Sequence, residues 1–225
     1  MTDLPERLRL ETRELHALSE RSGVMGRLIG GRLGRPGYVA LMRNLHAIYT
    51  ALEVGLKRHA GEPALTVLGA TQFHREAALA SDLGVLCGAD WPALPLAPAT
   101  LLYVNRLRTL ADTAPVLLAA HAYVRYLGDL HGGQMLKRLV ARSLTTGDGP
   151  DPDPDPDVAL AGATRFYEFG TDDEVLALRH AFRTGLSRML VDAATADGLV
   201  AEARWSFEAH VALFTELAPA PAASA

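Results

Sequence analysis

Residues 121–138 read HAYVRYLGDLHGGQMLKR, and the way this stretch departs from an ordinary helix decides the fold. Around it Leu117, Leu118, Val124, Leu127, Leu130, Leu136 and Leu139 recur at helical intervals, and Thr113 with Pro115 is a start signal. The spacing predicts one long helix from 113 to about 146, bent at 128–133. Each of Gly128, Gly132 and Gly133 costs roughly 1 kcal/mol against alanine within a helix. Gly128 and Gly132 lie four apart on one face, so a flat ligand or another helix can approach the bare backbone there. Arg125 and Asp129 form a charged pair beside it. From the glycines alone, a kink or close helix crossing is as good an explanation as a ligand.

Working outward, apolar spacings stay helical almost everywhere and no clean period-two run of β-branched residues occurs, so the chain is expected to be all-α. A first helix over 4–21 places Leu4, Leu8, Leu15 and Leu18 on one stripe. Arg9, Arg13 and His16 share the adjoining one. After GGRLGRPG (30–37), Pro36 opens a helix with the stripe Tyr38, Met42, Leu45, Tyr49, Leu52 and Leu56. Tyr49 needs a partner for its hydroxyl if buried, and a polar cluster with Arg125 and Asp129 would supply one.

A third helical region is expected over 64–87, broken at Gly69 and Gly84. The connector WPALPLAP (91–98) and a helix over 98–111 follow. The acidic proline repeat GDGPDPDPDPD (147–157) cannot be helix and reads as an extended loop. A short helix with Phe166, Tyr167 and Phe169 should stop at Gly170. Thr171 and Glu174 form a capping box for a helix carrying Leu176, Leu178, Phe182, Leu186 and Leu190, with Arg179 and Arg183 four apart. The last helix, about 197–217, presents Phe207, Val211 and Phe214 beside His210.

Composition narrows the function. The chain has 225 residues, 49% of them hydrophobic, enough for one core; its net charge of -4 argues against nucleic acid as a partner. One cysteine, Cys87, excludes a disulfide framework and a cysteine zinc site, and fits a reducing compartment. No secretory signal or membrane-length apolar run is seen. Phosphate-loop, dinucleotide, nucleophile-elbow and zincin motifs are absent, as are the paired Glu-x-x-His motifs of di-iron bundles. A histidine among arginines, a second arginine pair and a bare glycine strip remain. Those parts suit a flat, iron-centred dianion, with the basic pairs also explicable as solvated faces.

At this point the residues resemble a known family. YVRYLGDLHGGQMLKRL (123–139) is similar to the signature of the heme oxygenases, and TRELH (12–16) to their proximal-histidine segment. LHAIYTALE (45–53), RHAFRTGL (179–186) and EARWSFEAHVALFTEL (202–217) match in the same order. The resemblance implies a single all-α domain over 1–217, with 218–225 a flexible tail and heme b, both cofactor and substrate, between the first helix and the glycine-rich one. It implies His16 as the iron ligand and Arg9, Arg13, Tyr123, Arg179 and Arg183 around the propionates. Gly128, Gly132, Asp129, Arg125 and Tyr49 would form the distal, catalytic side. It further implies cleavage at the α-meso carbon to biliverdin, Fe2+ and CO, using O2 and electrons from an external reductase. The donor would be a ferredoxin, a flavodoxin or a flavin reductase, and a biliverdin-using photoreceptor would be a downstream partner. The expected protein is a cytoplasmic monomer without a membrane anchor. A non-catalytic heme carrier is the alternative. Two departures stand out: His131 where the family has serine, and His210 where a smaller amide is common.

Overall fold

The computed structural model describes residues 3–145 and 162–218. The acidic proline repeat and the C-terminal tail beyond 218 lie outside them. Among the described residues there is no strand, and the architecture is all-α as expected. The main helices are α1 (Leu4–Arg21), α2 (Gly23–Ile29), α3 (Arg35–Arg58), the single turn α4 (Pro63–Thr66), α5 (Glu76–Cys87) and α6 (Pro98–Thr113). They are followed by α7 (Leu118–Ala122), α8 (Gly128–Thr145), α9 (Asp172–Arg188) and α10 (Ala193–Glu216).

α10 packs along α1 and also meets α2, α6 and α7, while α3 packs on both α5 and α6. The predicted face of α3 is buried throughout: Tyr38, Met42, Leu45, Tyr49, Leu52 and Leu56 all belong to the core. The capping box also forms. The Thr171 hydroxyl accepts from the Glu174 amide at 3.3 Å, and the Thr171 amide donates to the Glu174 carboxylate at 2.7 Å.

Several expectations are corrected. Leu18, Leu176 and Leu190 are exposed; α1 buries Thr12 and Ser19 beside Leu4 and Leu8, and α9 buries Val175, Phe182 and Leu186. At 100° per residue the 4, 8, 12, 19 face is turned about 40° round the helix from the stripe of the four leucines. Gly69 breaks the 64–87 region at φ +55, but Gly84 continues inside α5. Residues 165–167 form one 3-10 turn rather than a helix. Its Arg165 and Phe166 amides donate to the buried Asp82 carboxylate at 3.0 and 2.9 Å. Burial raises the Asp82 pKa to about 6 despite those bonds.

The 113–146 helix is also more articulated than predicted. After a 3-10 turn at Pro115–Leu117 and the short α7, Tyr123–Leu127 forms a π-helical turn, and α8 then runs unbroken through all three glycines. The distortion therefore sits one turn before the glycines. A π turn absorbs an extra residue within a helix, so Gly128 keeps ordinary helical angles, φ -59 and ψ -48.

One glycine is dictated by close approach. Gly23, at the α1–α2 junction, has φ +42, and a Cβ there would collide with the Phe214 carbonyl of α10. Gly23→Ala should destabilise the protein by about 2 kcal/mol or more, because both the backbone angle and the contact oppose it. Urea unfolding monitored by helical circular dichroism measures this; an unchanged midpoint would contradict the packing of that turn.

Candidate functional site

α1 and α8 face one another across a cleft made of two adjoining cavities. The first, of about 270 Å³, is lined among others by Arg9, Arg13, His16, Tyr123, Gly128 and Arg183. The second, of about 240 Å³, is lined among others by Met25, Leu136, Phe214, Arg125, Asp129 and His210. His16, Val124, Gly128, His131 and Phe207 belong to both, so the cavities are halves of one space. One half is rich in arginine. The other is apolar with a polar cluster in its wall.

His16 is half exposed, with its ring edge-on to Phe207 at 5.6 Å between centroids. The glycine strip opposes it. A Cβ on Gly128 would meet nothing within 4 Å, and one on Gly132 would touch only the Leu136 side chain, at 3.5 Å. Gly133 turns elsewhere, toward the Tyr167 carbonyl. Two of the three glycines therefore leave open backbone, where a planar group can come closer than any side chain allows.

Arg125, Asp129 and Tyr49 come together as the sequence suggested. Arg125 Nη2 donates to Asp129 Oδ1 at 3.0 Å, its Nε donates to the Tyr49 hydroxyl at 3.1 Å, and that hydroxyl donates to Asp129 Oδ2. All three lie on the inner side of the wall, with Tyr49 fully buried and Asp129 5% exposed. Burial raises the Asp129 pKa above its ordinary value, while Arg125 and the tyrosine bond oppose the rise. Burial likewise keeps the Tyr49 hydroxyl protonated far into the alkaline range.

The basic side chains divide. Arg9, Arg13 and Arg183 line the first half together with Tyr123, and Arg9 also pairs with Glu6 at 2.7 Å. Arg179 does not line either half. Its guanidinium donates to the Leu130 carbonyl, from Nε at 3.0 Å and also from Nη2, and so ties α9 to α8. His131 lines both halves, its Nδ1 bonded to the Leu127 carbonyl at 2.7 Å.

Sequence reading missed a buried network behind the cluster. Glu202 on α10 accepts from Arg106 at 2.9 and 2.5 Å and from His121 Nε2 at 3.0 Å; His121 Nδ1 meets the Tyr103 hydroxyl at 2.9 Å, and that hydroxyl meets Ser206 Oγ at 2.5 Å. His121 lies in the apolar run PVLLAAHAYV, and a polar residue at a core position was the available signal. Phe207 was read as core only, although it lies against His16. Burial works against the Glu202 charge, yet the Arg106 and His121 bonds outweigh it and lower the pKa to about 2. The stabilisation is therefore complete above the ordinary value of 4.5 and is lost as pH falls toward 2. Glu202→Gln should cost on the order of 3 kcal/mol at pH 7 and much less at pH 2.5, as measured by urea unfolding. An equal deficit at both pH values would refute the ionised assignment.

The residues fit an iron-bearing planar dianion: a histidine on one face, bare backbone on the other and arginines around one half. The comparisons agree. The family model described as heme oxygenase matches residues 2–216. Heme oxygenase 1 of Nostoc sp. is 32% identical over 217 residues, 96% of this chain and 86% of that protein. The crystal structure of heme oxygenase-1 from Synechocystis sp. PCC6803 in complex with heme superposes with a TM-score of 0.84 at 32% identity, over 96% of this chain and 92% of that one. Heme oxygenase from Leptospira interrogans also gives 0.84, at 30% identity, over 96% of this chain and all of that one.

Proposed function

The chain belongs to the heme oxygenase family, enzymes for which heme is both substrate and cofactor and biliverdin the product, and we propose that it works in the cleft between α1 and α8. One observation carries this assignment: His16 and the open backbone of Gly128 line the same space, with the Asp129 cluster in its wall. When bound, heme supplies the oxygen chemistry, consuming O2 and electrons and releasing ferrous iron and CO.

The chain's residues do the rest. His16 offers an imidazole nitrogen to the iron. Arg9, Arg13 and Arg183, with Tyr123, hold the carboxylates by charge-assisted hydrogen bonds. Arg179 is assigned instead to holding α8, since its guanidinium is occupied by the Leu130 carbonyl. Gly128 and Gly132 would let the macrocycle lie close to α8; cleavage at the α-meso carbon is what the family resemblance implies. Asp129, whose pKa burial raises, is the group on that wall suited to hold and pass a proton, while Tyr49 and Arg125 fix its orientation.

The site residues do not name the reductant; a ferredoxin, a flavodoxin or a flavin reductase would each suffice, and a biliverdin-using photoreceptor would consume the product. Among the described residues no helix is long and apolar enough to cross a membrane. We read the chain as a cytoplasmic monomer with one helical domain over 1–217; the single free cysteine accords with a reducing compartment, and the family match over 2–216 with one domain.

Hemin titration into the apo-protein, followed by O2 with ascorbate or a reductase, tests the assignment. The expected result is a one-to-one Soret complex that gives way to biliverdin absorption with CO release. A Soret band that persists without CO would make the protein a heme carrier.

A further inference from the structure

We propose that His210 is a positioning residue for the distal cluster: its Nε2 lone pair fixes the Arg125 guanidinium and, through it, the Asp129 carboxylate, an inference that rests on the heme-degrading reading above. Each guanidinium nitrogen has its own partner. Nε donates to Tyr49, Nη2 to Asp129, and Nη1 to His210 Nε2 at 3.3 Å. Removal of the third partner frees the guanidinium to turn about the other two.

The histidine is itself held in one orientation and one tautomer. Its Nδ1 lies 2.7 Å from the Ser206 carbonyl, an acceptor only, so the ring proton is on Nδ1 and Nε2 is left to accept. The ring is edge-on to Tyr103 at 5.0 Å and tilted against Phe214 at 5.6 Å, and the residue is 2% exposed. Burial, with Arg125 beside it, holds its pKa well below the ordinary histidine value, so the accepting lone pair is present across the neutral range. A smaller amide in the same place would not span from the Ser206 carbonyl to Arg125 in this way.

The buried network behind His210 invites a second interpretation, proton conduction from Glu202 to Asp129, and the geometry rejects it. Tyr103 bonds to the Ser206 hydroxyl, whereas His210 bonds to the Ser206 carbonyl, which carries no proton to pass on. Beyond that break stands Arg125, and a guanidinium does not give up its proton. The network can brace the wall but cannot relay through it.

The test compares His210→Leu and His210→Met, which lack the ring acceptor, with His210→Gln, whose carbonyl reaches about as far as Nε2. In the apo-protein, solvent exchange of the Arg125 Nε–H is followed by nitrogen-15 NMR. It should quicken at least about tenfold in the apolar variants and stay within about threefold of the parent in His210→Gln. In the hemin complexes the Soret band and hemin affinity should be retained throughout. Biliverdin formation should fall about 10- to 100-fold in the apolar variants and be largely restored in the glutamine variant. Parental exchange and turnover in a folded apolar variant, or a glutamine variant as impaired as leucine, would overturn the proposal. Met serves if Leu does not fold. Absence of turnover in the parent would instead defeat the heme-degrading assignment, and the apo-protein exchange data would still judge the role of His210.

Discussion

His16→Ala is expected to abolish the imidazole-bound spectrum of the ferric hemin complex and to lower biliverdin formation by at least about 100-fold, while leaving the melting temperature nearly unchanged. The separation follows from where His16 sits. Its side chain is half exposed, edge-on to the ring of Phe207 and 3.8 Å from the Glu20 carboxylate, so little core is lost with it. Hemin should still enter, because the arginines of the first half and the apolar wall of the second remain. The void left by the ring opens to solvent, and millimolar imidazole added to the variant should restore part of the ligated spectrum. Absorption and electron paramagnetic resonance of the complex, with and without imidazole, make the measurement. A variant whose ligand-field spectrum matched the parent would show that another residue, such as His131, which also lines the cleft, holds the iron.

What could be read from the sequence was local. The α3 stripe, the Thr171 capping box and the i, i+4, i+7 relation of Arg9, Arg13 and His16 each follow from the helical repeat, and each appears in the structure. Failures came where distant segments decide. Leu18 and Leu176 have the composition of core but face outward, because the neighbours of α1 and α9 lie on other sides, and Leu190 lies past the end of α9. Arg179 and Arg183 are indistinguishable as a pair in sequence, yet one lines the cleft and the other ties two helices together. The Glu202 network joins residues up to 103 positions apart, and its only local trace was polar residues within apolar surroundings. The π turn was equally hidden, since three glycines in one short run drew the predicted bend onto themselves. The candidate site was more legible than the packing around it because its parts, a histidine between arginines and two glycines one turn apart, are short-range patterns.

Asp129→Asn should retain hemin binding and the Soret band yet reduce biliverdin formation about 100-fold, and Asp129→Ala should add a loss of stability that the asparagine variant does not show. Arg125 explains the difference. Its guanidinium is buried, and Asp129 is its carboxylate partner at 3.0 Å. Alanine leaves that cation in the wall without an acceptor on α8, at a cost of about 3 kcal/mol or more by analogy with other broken buried pairs. Asparagine keeps the shape and one carbonyl oxygen for Arg125, so the wall stays folded. What asparagine lacks is the carboxyl group that can take up and release a proton, a group whose pKa burial raises above its ordinary value. Loss of turnover in Asp129→Asn with unfolding midpoint and hemin affinity preserved therefore isolates proton handling from architecture. Normal turnover in that variant would assign the proton to another donor in the cleft, and Asp129 would then serve only as the counterion of Arg125.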